Sequence, residues 1–211
     1  MPLIYRLWAS VRGRQCGWWM SQIADYNCTG GVAGRDASDA WLPVATRLEC
    51  AFEENSNIAG FSADMVKCYD SLPMDAVLGI CRCLGMHPRI TRALWGAYSR
   101  MRRVFTVNQG FGSAWTALTG AIQGCGLSNT LMNGVSTAWS LWVKEQAKVD
   151  TAAHVDDWLL FADRWTGHDD RLTTAGISGM PVAPPTVSRD KVQKEVLTAI
   201  QASEAFMALL K

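Results

Sequence analysis

The sequence holds seven cysteines, at 16, 28, 50, 68, 81, 83 and 125, but no Cys-x-x-Cys pair. An odd number of scattered thiols excludes a disulfide framework and a zinc site of sequential ligands, and fits reduced, intracellular thiols. No signal peptide is visible, so the expectation is an intracellular chain, nuclear or cytoplasmic and not secreted. No apolar run approaches the ~20 residues of a membrane span, which predicts no membrane partner. Histidine is scarce: His87, His154 and His168 form no metal set. Charge is also thin. Asp, Glu, Lys and Arg make up 18% of the chain, and the net charge of +1 gives no bulk attraction to a polyanion.

What is present is uneven. The 211 residues are 49% hydrophobic, enough for one ordinary core or a domain plus a fragment. From Arg82 to Arg103 there are six arginines and no Asp or Glu, and Met1 to Arg35 holds four arginines against Asp25 and the adjoining Asp36. Basic segments of this kind can hold phosphates, or simply form solvated faces.

Periodicity lays out the elements. Ile4, Leu7, Trp8 and Val11 share one helical face. A Gly-rich loop follows at 27–40, and Asp36 or Ser38 would cap a helix over 39–53. Residues 58–63 read as a buried strand ending at Asp64. Pro73 starts a helix with Val77, Leu78, Cys81 and Leu84 as its apolar positions, closed by Gly85. A second helix is expected over 88–101. Val104 to Val107 alternates like a strand, with a turn at Gly110 and Gly112. A second Gly-rich loop, 120–129, precedes a long helix through Leu131, Val135, Trp139 and Trp142, for which Ser128 is the expected N-cap. Residues 151–162 form two apolar runs around Asp156 and Asp157, a hairpin signal. Residues 163–190 lack periodicity and read as a linker. The last segment is helical, with Val192, Val196, Ile200 and Met207 spaced for one face.

Three acidic positions therefore end or interrupt strands: Asp64, Asp156 and Asp157. Adjacent carboxylates at a tight turn repel, and a divalent cation such as Mg²⁺ removes that cost. The bland reading is a turn whose aspartates face water. Phosphoryl and nucleotidyl transfer use carboxylate-clamped metal pairs, and Gln123 in the glycine loop would lie along a nucleotide without adding charge.

The order of motifs resembles the palm of reverse transcriptases, most closely the non-LTR retrotransposon and group II intron type. FSADMVKCYDSLP (61–73) resembles the first palm motif, GAIQGCGLSN (120–129) the Gln-Gly loop, and HVDDWLLFA (154–162) the aromatic-x-Asp-Asp hairpin. IYRLWASVRGRQ (4–15) and GGVAGRDASDA (30–40) resemble the preceding fingers-side segments. The resemblance implies an α+β fold: a right-hand polymerase palm, with a three- or four-stranded antiparallel sheet and helices near 74–85 and 128–145 on one face. The expected organisation is a partial fingers segment at 1–57, the palm at 58–163, a linker or disordered stretch at 164–189 and a C-terminal helix at 190–211.

It also implies roles. Asp64 and Asp156 would bind two Mg²⁺ ions, with Mn²⁺ as a substitute. Asp157 would be the third carboxylate, and the Met65 carbonyl would complete one metal site. Tyr69 would stand under the sugar of the incoming dNTP and reject a 2′-hydroxyl, which separates this reading from an RNA-dependent RNA polymerase. Gln123 and Gly124 would line the nucleotide pocket, and Arg35, Arg100, Arg102 and Arg103 would meet nucleic acid. The partners would be an RNA template and a DNA primer. His154, Ile122, Cys125, Asn129 and Val32 depart from the family pattern, but none removes a metal ligand. No stretch resembles the family's lysine motif, primer grip or thumb, so a thumb would come from a partner chain or further segments. The alternative is a non-catalytic retroelement remnant or nucleic-acid-binding fragment.

Overall fold

The computed structural model describes residues 3–117, 119–122, 124–163, 166 and 187–210. The chain runs α1 (Leu3–Ile23), α2 (Ala37–Glu53), β1 (Ala59–Asp64), the single turn α3 (Cys68–Ser71), α4 (Met74–Cys83) and α5 (Pro88–Arg100). Four two-residue strands follow: β2 (Arg102–Arg103), β3 (Thr106–Val107), β4 (Gly110–Phe111) and β5 (Trp115–Thr116). Then come α6 (Ser128–Gln146), β6 (Asp150–His154), β7 (Asp157–Ala162) and α7 (Arg189–Leu209). The linker expected at 164–189 lies almost wholly outside the described residues.

The fold is α+β with small antiparallel sheets. The main sheet has three strands in the order β1-β7-β6, with Ala59 opposite Ala162 and Asp150 opposite Phe161. Strand alternation divides its residues between two faces. Trp158, Leu160 and Ala162 are buried on one face, where α6 and α7 pack. Trp158 stacks on Trp139 of α6 with ring centroids 4.5 Å apart, and Phe206 of α7 meets it at 6.4 Å. Phe161 and Ala152 face the other way and are covered by Val44 and Trp41 of α2. The expectation of helices on one face is therefore corrected: α2 covers the far end of the second face, because Phe161 and Ala152 would otherwise leave apolar surface in water.

Strand β1 also departs from expectation. It reads as a buried strand, yet Gly60, Phe61 and Ser62 are exposed. It pairs only with β7 among the described residues, so it is an edge.

Helix α6 is the axis of the core, in contact with α1, α4, α7 and β6. Three of its buried small polar residues are bonded: Ser136 to the Met132 and Val155 carbonyls, Thr137 to Asn133, and Ser140 to Asp25. Ser128 does not cap it. The N-cap is Leu127, and the Ser128 hydroxyl donates instead to the Ile122 carbonyl at 2.7 Å, folding the glycine loop back on itself. Asp36 does cap α2, in a capping box with Asp39. On α1 the buried stripe is Ala9, Cys16 and Met20, whereas Ile4, Leu7 and Val11 are exposed. On α7 it is Val192, Val196, Ala199, Ala202 and Phe206, with Ile200 and Met207 half-buried at its flank. The ribbon β2–β5 forms two short ladders, β2 with β5 and β3 with β4.

Candidate active site

The site is assembled at one end of the main sheet. Asp64 closes β1 directly opposite Asp157, the first residue of β7, and Asp157 in turn faces His154 of β6. Asp156 lies with Val155 in the two-residue turn between β6 and β7. The Met65 N–H donates to the Asp156 carbonyl at 3.3 Å, so the end of β1 and the hairpin tip are joined directly. Asp64 and Asp157 are exposed and Asp156 is half-buried. Among the described residues, no cation forms an ion pair with any of the three.

The hairpin tip is strained and braced. Val155 has φ +59°, a left-handed value that a β-branched residue rarely adopts. Three contacts hold it there. The Ser136 hydroxyl and the Trp158 indole N–H both donate to the Val155 carbonyl, at 3.3 and 3.1 Å. The third is Gly30, where a Cβ would come within 2.7 Å of the Val155 nitrogen. Gly30 sits at the end of a strap that runs beside β6. The Thr29 N–H donates to the Ala153 carbonyl, the Ala153 N–H to the Asn27 carbonyl, and the Thr29 hydroxyl meets His154 Nδ1 at 2.9 Å. The first Gly-rich loop thus packs closely against the hairpin. Thr29 and Ser136 are supporting residues that no motif signalled, and Trp158 lies within the hairpin motif without a role assigned to it.

Tyr69 stands on α3, and its hydroxyl donates to Asn129 Oδ1 at 2.6 Å, which fixes the ring against the start of α6. The glycine loop is tied to the same turn: the Ala121 N–H donates to the Tyr69 carbonyl and the Gly120 N–H to the Leu72 carbonyl. Gly120 has φ +100°, and a Cβ there would lie 3.0 Å from the Asp70 carbonyl, so the close approach requires glycine. Gly124 is exposed with φ +75° and open space around it. Gln123 lies outside the described residues.

Electrostatics connect two of the three carboxylates. Burial pushes the Cys68 thiol up to about 12, and the Asp156 and Asp64 carboxylates both add to the rise. Tyr69 is likewise raised to about 12, by burial first, then by Cys68 and Asp156. Asp64 and Asp156 therefore act on one shared neighbour at the foot of β1.

Among the described residues, no group of three or more His, Cys, Asp or Glu side chains is arranged to hold a metal ion. The Met65 carbonyl already accepts the Cys68 N–H at 3.1 Å, leaving one lone pair. The donor set fits a cation shared with a ligand better than a protein-only cage. Mg²⁺ is commonly held by one or two carboxylates together with substrate phosphates. The exposed Asp64 and half-buried Asp156, neither paired with a cation among the described residues, have that character.

Arg35 is committed elsewhere. Its Nη1 donates to the carbonyls of Asp25, Tyr26 and Cys28 at 3.0–3.3 Å, closing its own loop. Arg100 and Arg102 are exposed, and Arg103 donates to the Gly120 carbonyl at 3.2 Å. No helix among the described residues is long and apolar enough to cross a membrane. No protein-family model and no curated protein matches the chain.

Proposed function

We propose that the chain is a reverse-transcriptase-type palm that adds deoxynucleotides to a primer 3′-hydroxyl on an RNA template. The observation that supports this most is convergence. The aspartate of the first motif, the aspartate pair of the hairpin and the glycine loop are far apart in sequence. They meet through the Asp64–Asp157 register, the Met65–Asp156 bond and the Tyr69–Ala121 bond.

Asp64 and Asp156 would hold Mg²⁺ jointly with the nucleotide triphosphate. The bound ion would lower the pKa of the primer hydroxyl and offset charge on the departing pyrophosphate. The primer hydroxyl gives up its proton to solvent, its oxygen attacks the α-phosphorus in line, and the bond to the bridging oxygen breaks so that pyrophosphate leaves. The protein supplies mainly position. Tyr69, fixed by Asn129, presents its ring where a 2′-hydroxyl would collide. Gly124, with no side chain and room around it, lets a nucleotide approach the backbone. Asp157 adds negative charge at the rim. The bracing of Val155 keeps the backbone of the turn that carries Asp156 in place without help from the ligand.

The second reading, a nucleic-acid-binding remnant without catalysis, draws on the absence of a three-donor metal group among the described residues. Primer extension on an RNA template with Mg²⁺ and dNTPs separates the two. The expected outcome is extension by the chain and none by Asp156→Asn. Equal traces from both proteins would overturn the polymerase reading.

A further inference from the structure

The ribbon β2–β5 stands out from the body of the protein. A two-stranded ribbon is marginal in water unless one face is covered. This one leaves Phe111 80%, Val107 71% and Phe105 70% exposed. Phe105 and Trp115 are stacked, with centroids 6.0 Å apart and planes at 24°. The Arg103 guanidinium lies over the Trp115 ring at 5.8 Å, and Arg100 and Arg102 flank it in the chain. At the root of the ribbon a cavity of about 240 Å³ opens between α5 and β5, lined by Trp95, Tyr98, Met101, Arg103 and Thr116 among others. The chain has no Asp or Glu from Ala76 to Lys144. Asp70 reaches the root through its backbone carbonyl, which accepts the Thr119 hydroxyl.

We infer that the ribbon and the cavity at its root hold a single-stranded nucleic acid. Bases stack on Phe105, Phe111 and Trp115, and phosphates meet Arg100, Arg102 and Arg103. Aromatic rings interleaved with arginines, in a stretch without acid, suit a ligand that carries both π-faces and negative charge. A duplex hides its base faces, and an apolar protein partner leaves the arginines unanswered. Arg103 ties the root to the Gly120 carbonyl, so a strand lying on the ribbon is led along the glycine loop toward Tyr69. The inference rests on the nucleic-acid reading above and adds the form of the ligand, its place and its contacts.

The test is fluorescence anisotropy of the full chain with a labelled oligouridine of roughly 16 nucleotides, and with a duplex of the same length, over a series of salt concentrations and without dNTP or divalent cation. In Phe105→Ala/Phe111→Ala, affinity for the single strand should fall about tenfold or more with an unchanged salt slope. In Arg100→Gln/Arg102→Gln, the slope of log K against log salt should shrink by about 1.4. The arginine pair removes no apolar surface, so its slope decides even if the aromatic pair unfolds. Wild-type binding by both variants, no binding by the wild type, or a preference for the duplex would overturn the inference. So would self-association through the ribbon that the aromatic pair abolishes while RNA binding persists. The assay needs no turnover. A chain that binds through the ribbon but extends no primer keeps the inference and loses the polymerase reading. A chain that extends primers while both variants bind as wild type does the reverse.

Discussion

Gly30 and Val155 are the residues on which the hairpin tip depends. One has no side chain because the other's backbone occupies the space, and the other keeps a left-handed φ because its carbonyl is held twice. Gly30→Ala should therefore cost about 1–3 kcal/mol, the range for forcing atoms into a packed site. Gly34→Ala, at a positive φ but in open space, should lose only the smaller backbone term. Urea unfolding of the two variants measures the difference. A Gly30→Ala protein as stable as Gly34→Ala would mean that the strap does not brace the hairpin. None of this was legible in advance. The Asp-Asp pair marked the turn, but left-handed geometry at a valine contradicts its local preference, and the Gly30 contact spans more than a hundred residues of sequence.

At the scale of elements, the loop after α1 is fastened to α6 through a buried cluster. Lys144 Nζ and the Ser140 hydroxyl reach the Asp25 carboxylate at 2.7 and 2.8 Å. Burial alone would raise the Asp25 pKa, but Lys144, Ser140 and the Asn27 N–H together hold it below the ordinary value. Its folded pKa is depressed, so its contribution to stability is present above the unfolded carboxylate pKa and is lost as pH falls through the folded value. Lys144→Met reverses the sign. Asp25 is then left largely desolvated without a cation, its pKa rises, and stability at neutral pH falls, by less than the roughly 3–5 kcal/mol of a fully buried pair because Lys144 is partly exposed. That penalty should shrink on acidification, as Asp25 takes up a proton. Thermal unfolding of both proteins from pH 7 to pH 4 tests it; a deficit constant with pH would rule out Asp25 as the cause.

The elements themselves were largely legible. Capping at Asp36, Pro73 ahead of α4, Gly85 after it, and the apolar spacing of α4 and α6 all mark local choices that the fold keeps. What each element faces was less legible. Ile4, Leu7 and Val11 make a plausible apolar stripe on α1, but α1 approaches the glycine loop through Ala9, Ser10 and Gly13, whose small size permits closer contact. Likewise, β1 carries a strand-like apolar run and lies at an edge.

Across the whole molecule, the seven thiols divide by burial. Cys28 and Cys81 are pushed up to about 12 by burial, and Cys68 by burial with two nearby carboxylates. Cys16 and Cys125 are buried too, Cys50 is half-buried and Cys83 is exposed. Reactivity follows the thiolate and its access. The native protein should react promptly with a thiol reagent at Cys83, more slowly at Cys50, and at all seven positions only once denatured. Mass spectrometry after timed labelling measures this, and rapid native modification of Cys28 or Cys81 would mean that the core opens far more readily than its packing implies. The candidate site was legible at the same scale as the fold. Its carboxylates could be read from residue type and spacing, whereas the strap, the Ser136 brace and the Tyr69–Asn129 bond come from packing between distant segments.

The stack of Trp158 on Trp139 has a use apart from the core it helps to fill. Trp158 lies two residues from Asp156 and bonds the turn through its indole nitrogen, while Trp139 belongs to the central helix. Indoles in such close register share their excited states, and the resulting ultraviolet circular dichroism depends steeply on their mutual angle. The protein thus carries an intrinsic optical gauge between its hairpin and its axis, one that registers a shift of the aspartate turn without any added label.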